Sequence, residues 1–176
     1  MTGTTPATVP FTAFNFAVEI VRDDASGRLV NGSFAECDGL EMTMEVKTIR
    51  EGGGNARQIR LSGPASFGNL TLKRGMTAST DLWTWFADTI NNPALRASAE
   101  VVVFAPDGHT ERARFILTRC LPIKVKAPPL NAKDGMVAIE ELQLAYETLR
   151  LKAPTVPAAA VTLGVTLGVT LGVGLS

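Results

Sequence analysis

Four groups of residues in this sequence have the types that chemistry uses: one histidine, two cysteines, a glycine run among basic residues, and two adjacent carboxylates. His109, the single histidine, lies in Pro106-Asp107-Gly108-His109, which is turn chemistry. A metal centre would need a second ligand at suitable spacing and none accompanies it, so it reads as an exposed turn residue. Cys37 and Cys120 are too few and too far apart for a disulfide framework or a CxxC metal pair. They read as reduced, buried, small apolar residues. Gly52-Gly53-Gly54 between Arg50 and Arg57 has the composition of a phosphate loop. However, a P-loop spreads its glycines as GxxxxGK[ST] between a strand and a helix, and here they are contiguous with no Lys-Ser/Thr after them. The run reads as a hairpin tip. Glu140 and Glu141, if they lie on a strand, point to opposite faces and cannot form an acid/base dyad. Glu19, Glu45 and Glu147 likewise fall among polar or basic neighbours, where a solvated or ion-paired role is the default. No GxSxG, HExxH, Walker or dinucleotide fingerprint is present, so the sequence points away from an enzyme and calls for no cofactor or metal.

The elements that position these residues must form one folded domain with appendages. The chain has 176 residues, of which 45% are hydrophobic, enough for a proper core. Seventeen basic residues balance seventeen acidic ones, which excludes a global electrostatic footprint for nucleic acid or an anionic membrane. Residues 1–10 are rich in Thr and Pro and lack the basic and apolar regions of a secretory signal, so synthesis in the cytoplasm is expected.

The organising stretch is Asn69-Leu70-Thr71-Leu72-Lys73-Arg74-Gly75, followed by Asp81-Leu82-Trp83-Thr84-Trp85-Phe86. Leu70 and Leu72 alternate with Thr71 and Lys73, the period of a strand with one buried face. Leu82, Trp85, Phe86 and Ile90 then fall at helical spacing, one stripe that a sheet must cover, with Thr84, Asp88 and Asn91 on other faces. Leu70, Leu72, Leu82, Trp85 and Phe86 are the expected core of the subunit.

Elsewhere, residues 14–20 alternate as a first strand, Asp23 to Gly27 supplies a turn, and Asn31-Gly32 has the composition of a tight hairpin leading into residues 33–37. Asp38-Gly39 marks a second break. Residues 41–50 read as a long strand, with Met42, Met44 and Val46 alternating against charged and polar residues, and 56–61 as its return. The product is a long, charged hairpin with a glycine tip, closed by a turn at Ser62-Gly63-Pro64. Residues 100–105 and 110–121 form a second hairpin about the His109 turn. For residues 137–149, propensity favours helix while the apolar residues fit neither period cleanly.

A Pro/Ala linker follows from residue 153, and Val-Thr-Leu-Gly then occurs three times between residues 161 and 172. Three readings stand for this uncharged end: a flexible or partner-docked tail, a membrane segment with a GxxxGxxxG face, or a strand-pairing repeat.

Six blocks in order, Glu36-Cys37-Asp38-Gly39-Leu40-Glu41-Met42, Arg50-Glu51-Gly52-Gly53, Leu61-x-Gly63, the 69–75 strand, Leu82-Trp83-x-Trp85, and Val137-Ala138-Ile139-Glu140-x-Leu142-x-Leu144-Ala145, resemble the inner-tube proteins of contractile phage tails and phage-tail-like injection systems. The likeness spans residues 14–149. It implies a mainly β fold, two antiparallel sheets packed as a barrel-like sandwich with one flanking helix, and makes 137–149 a strand, which we follow because β tendency is set by context. It implies domains at 1–13 (an arm), 14–152 (the tail-tube domain) and 153–176 (linker and repeat tail). Six copies would close into a ring, and rings would stack into a tube with a central channel. The implied partners are further copies of the chain, a contractile sheath protein, baseplate or spike and tail-terminator proteins, and lumenal cargo, tape-measure protein or DNA, without specific nucleic-acid readout. The particle would be cytoplasmic or released. Within that frame, the length and glycine tip of the hairpin make Arg50, Glu51, Gly52, Gly53, Gly54, Asn55 and Arg57 the expected contacts to a neighbouring subunit or ring. The sequence departs from the family pattern at Ile49, at Leu121 to Val125, at Tyr146, and in its repeat tail. A small β-barrel binding module, or a β domain anchored to a membrane by its C-terminus, are the alternatives.

Overall fold

The computed structural model describes residues 14–24, 27–32, 34–50, 58–131, 133, 135 and 137–152. The expected arm at 1–13, the hairpin tip at 51–57 and the tail at 153–176 lie outside the described residues. In chain order the elements are β1 (Phe16–Arg22), β2 (Arg28–Gly32), β3 (Glu36–Asp38), β4 (Met42–Arg50), β5 (Gln58–Phe67), β6 (Asn69–Gly75), α1 (Asp81–Asn91), β7 (Ala97–Phe104), β8 (Glu111–Lys126), β9 (Ile139–Ala145) and β10 (Thr148–Lys152).

One strand, β8, joins the two sheets. Its first part pairs with β7 and β10, and its second part, from Leu121, pairs with β9. Between them sits Arg119 with φ 54, a left-handed conformation that bends the strand from one sheet into the other. The first sheet therefore runs β2-β1-β7-β8-β10 and the second β8-β9-β6-β3, every pairing antiparallel. The fold is mainly β, a sandwich of two antiparallel sheets with one helix, and β4 and β5 stand apart as a two-stranded ribbon.

Period-two patterning fills the space between the sheets. Ile20, Ala99, Leu117 and Leu149 are register partners across four strands of the first sheet, and all are buried. In the second, Leu70 faces Leu144 and Leu72 faces Leu142, each without appreciable exposure. Residues 137–149 thus supply β9 and the start of β10, because alternation of Glu140, Leu142 and Leu144 with Glu141, Gln143 and Ala145 satisfies a half-covered sheet face. Helix propensity is overridden there.

Three local expectations are corrected. Asn31-Gly32 is the end of β2, paired with Glu19 and Val18, and the chain reverses earlier, where Arg22 N–H donates to Gly27 O and Gly27 takes φ 92. Asn-Gly permits a tight turn without requiring one, and the ladder to β1 wins. Ser62-Gly63-Pro64 is interior to β5. Met44 faces Ala65 while Val46 faces Ser62, so β5 carries one extra residue as a bulge, where the two-stranded ribbon tolerates a proline. Gly63 is needed there, since a Cβ would lie 2.9 Å from Glu45 O. Finally, α1 buries Leu82, Trp85 and Thr89, leaves Phe86 half-buried and exposes Ile90. Arg22 bonds Asp88 at 2.9 Å beside that face, while the Thr89 hydroxyl donates to Trp85 O at 2.9 Å and so needs no water.

Candidate assembly surface

The Asp38-Gly39 break places the ribbon. Gly39 has φ 95, and a Cβ on it would sit 2.0 Å from Asn69 O, so only glycine lets this turn press on the start of β6. Tyr146, just after β9, locks the same point. Its hydroxyl donates to Gly39 O at 2.8 Å and accepts from Glu41 N–H at 3.1 Å. Gly68 N–H donates to Glu41 O, and the Phe67 and Tyr146 rings meet at 5.8 Å, tilted. Both ends of the ribbon are therefore clamped to the sandwich by one tyrosine.

Beyond the clamp the ribbon leaves the core. Met42, Met44 and Val46 share one face of β4 and are 63%, 57% and 60% exposed. Ile49 and Leu61, on the opposite face, are exposed too. Such an apolar strand face at the margin of a subunit marks an interaction surface.

The sandwich itself presents a charged ladder. Glu36, Lys73, Glu141 and Lys126 are successive register partners on β3, β6, β9 and β8. Lys73 donates to Glu36 at 2.6 Å and Lys124 to Glu141 at 2.8 Å. The bond to Glu36 raises the Lys73 ammonium, and the bond from Lys124 lowers the Glu141 carboxyl. Alternating signs make this face locally neutral. On the other side of β9, Glu140 is buried and accepts from Arg74 Nε at 2.5 Å and from Trp83 Nε1 at 3.4 Å. The two neighbouring carboxylates thus do point to opposite faces, each with its own cation.

The remaining chemical candidates are placed as follows. His109 is exposed at the β7–β8 turn, its backbone N–H held by Asp107. Cys120 is buried and Cys37 half-buried, and desolvation pushes their thiols up to about 12 and about 11. Among the described residues no three His, Cys, Asp or Glu side chains gather so as to hold a metal. A hollow of about 210 Å³ beside α1 is lined by Arg22, Arg28, Asp81 and Thr84 along with Leu29 and Trp85. Of the expected interface residues, Arg50 ends β4, and Glu51, Gly52, Gly53, Gly54, Asn55 and Arg57 lie outside the described residues. Leu70, Leu72, Leu82 and Trp85 are buried, and Phe86 is half-buried.

Sequence reasoning missed the Tyr146 clamp and the Arg74–Glu140–Trp83 cluster. Only the period-two placement of Arg74 with Leu70 and Leu72, and of Glu140 with Leu142 and Leu144, hinted that both charges face inward.

A bent-strand sandwich with a protruding apolar ribbon and ion-paired polar faces defines a structural building block. Residues 12–150 match the family model of the T4-like virus tail tube protein gp19, and the chain belongs to that family of structural tube proteins. Among solved structures, a chain of the six-fold symmetrised anti-feeding prophage baseplate superposes with a TM-score of 0.73 at 24% identity, covering 83% of this chain and 97% of its own. A chain from the extended sheath-tube complex of the extracellular contractile injection system PVC gives 0.68 at 19% identity, covering 86% and 99%. One from the sheath/tube terminator of that system gives 0.71 at 19%, covering 84% and 99%. No curated protein matches the chain.

Proposed function

We propose that this chain builds the inner tube of a contractile tail or injection system, closing into six-membered rings that stack around a central channel. The observation that carries the reading is the β4–β5 ribbon, which exposes Met42, Met44 and Val46 beside the well-filled core of the described sandwich. A closed ring of identical subunits covers such surfaces and leaves no free edge. Six-fold symmetry was applied to the baseplate that contains one similar chain, and another similar chain comes from a sheath-tube complex.

On this reading residues 14–152 are the tube domain, 1–13 an arm and 153–176 an appendage. Arg50, Glu51, Gly52, Gly53, Gly54, Asn55 and Arg57 contact the adjacent subunit or ring. Partners are other copies, a contractile sheath, baseplate or spike and terminator proteins, with cargo, tape-measure protein or DNA in the channel. The chain acts as a structural part made in the cytoplasm, without catalysis, cofactor or sequence readout. Negative-stain electron microscopy of the full-length protein tests this: rings or tubes are expected, and deletion of residues 52–55 or Met44→Asp should abolish them without unfolding the subunit. Monomers at all concentrations, or tubes unchanged by both variants, would overturn the reading.

A further inference from the structure

The second sheet, β3-β6-β9-β8, ends in two free edges. β3 pairs with β6 on one side, and beyond Cys120, where β7 stops, β8 pairs with β9 alone. Among the described residues no strand runs along the other side of either. The two edges carry opposite charge: Glu36 and Asp38 are exposed on β3, and Lys124 and Lys126 on β8.

A row of side chains crosses the whole sheet. Glu36, Lys73, Glu141 and Lys126 are successive register partners and read minus, plus, minus, plus. Glu36 accepts from Lys73 at 2.6 Å, yet its side chain stays 63% exposed on the outer strand. At the other end of the row Lys126 holds no hydrogen bond or salt bridge within the described residues, and Asp38 accepts only from Gly39 N–H. The alternation therefore stops at an unpaired cation on one margin and at exposed carboxylates on the other. A second copy placed edge to edge continues it.

Strand direction agrees. All neighbours in this sheet are antiparallel, so β3 and β8, at its two margins, run in opposite directions. Copies related by rotation about an axis along the strands keep β3 pointing one way, and β3 of the next copy beside β8 makes another antiparallel pair. On the core-facing side both edges carry a half-buried apolar residue, Cys37 on β3 and Val125 on β8. Pro122 lacks an N–H and lies at a bulge, which confines main-chain pairing to residues 123–126, a length suited to the three residues of β3.

We propose that β3 of one copy docks against residues 123–126 of β8 in the next, with Lys126 beside the next copy's Glu36 and Asp38, so that the charge row runs unbroken from copy to copy. This rests on the ring reading above and names its junction. Opposite charges select which edges meet, since β3 against β3, or β8 against β8, sets like charges together.

The test uses two full-length variants. Glu36→Lys/Asp38→Lys makes both edges basic, and Lys124→Glu/Lys126→Glu makes both acidic. Each alone is expected to need about tenfold more protein, or more, to assemble in sedimentation and negative-stain electron microscopy, because like charges meet at every junction. Mixed in equal amounts, they are expected to assemble at the wild-type concentration into particles that hold both variants in equal number by native mass spectrometry. Alternate copies then bring opposite charges together throughout. Glu36→Lys with Lys126→Glu repeats the comparison without touching the Gly39 turn. Assembly of each variant alone at the wild-type concentration, or a mixture no better than its components, would overturn the proposal. Wild-type rings indifferent to both variants would do so while leaving the ring reading in place. A mixture that links into open chains without rings would support the edge contact and overturn ring closure, and wild-type monomers at every concentration would overturn both.

Discussion

Arg74 on β6 and Glu140 on β9 are register partners facing inward, joined Nε to Oε1 at 2.5 Å with side chains only 10% and 2% exposed. Trp83 from α1 donates to the second carboxylate oxygen, and the guanidinium lies 5.8 Å from the Phe34 ring centre. The pair ties the second sheet to the helix. Removing one member leaves a buried charge uncompensated, so Arg74→Leu should cost about 3–5 kcal/mol. Arg74→Leu/Glu140→Leu should regain most of that loss, because two apolar groups need no partners. Urea denaturation of the three proteins decides it, and a double variant as unstable as the single one would contradict the account.

Trp85 carries the helix contact. Fully buried, it should lose about 3–5 kcal/mol as Trp85→Ala. Ile90 sits on the same helix but is 69% exposed, and Ile90→Lys should stay within about 0.5 kcal/mol of wild type. A large loss at Ile90 in thermal melts of the subunit would show that the helix is seated on a different face.

The β7–β8 turn responds to acid. Asp107 accepts from the Thr110 hydroxyl and from the backbone N–H groups of Thr110 and His109, which holds its carboxyl at about 2 against an ordinary 3.8. A depressed folded-state value means the turn is fully favoured above pH 3.8 and weakens as pH falls toward 2. Exchange protection at residues 107–111, measured against the intrinsic rate at each pH, should therefore fall over that window in wild type. Asp107→Ala should show the same low protection at every pH; wild-type protection insensitive to pH would refute the mechanism.

Thiol labelling reports the sandwich interior. Desolvation raises both cysteines, so at pH 8 each remains protonated in the folded chain. Cys37, half-buried at β3, should react with iodoacetamide more slowly than a free thiol, and Cys120 more slowly still. Both should label rapidly in urea. Rapid labelling of Cys120 in the native protein would place it outside the core.

Much of the architecture could be read from local patterning. The alternation of Leu70 with Leu72, of the 14–20 strand and of residues 110–121, and the continuous apolar run at 100–105, identified strands that the structure contains. Six motif blocks in order carried the family resemblance, and in one of them the turn at Gly39 leaves no room for a Cβ against Asn69. Less legible were the features set by distant partners. Ser62-Gly63-Pro64 has the composition of a turn, yet pairing with β4 keeps it extended as a bulged strand.

The sequence alone determined the strands at residues 14–20 and 69–75, the helix that begins near Leu82, and which family the chain resembles, because those properties follow from side-chain order over a few residues. Tertiary structure decided the rest. Leu70-Leu72 and Met42-Met44 show the same alternation, but only the first pair is covered by a second sheet while the other faces outward on the ribbon. Likewise the stripe Leu82, Trp85, Phe86 and Ile90 is only partly covered, since α1 buries Leu82, Trp85 and Thr89 and exposes Ile90. Burial is a relation between segments far apart in the chain, and no local period encodes it.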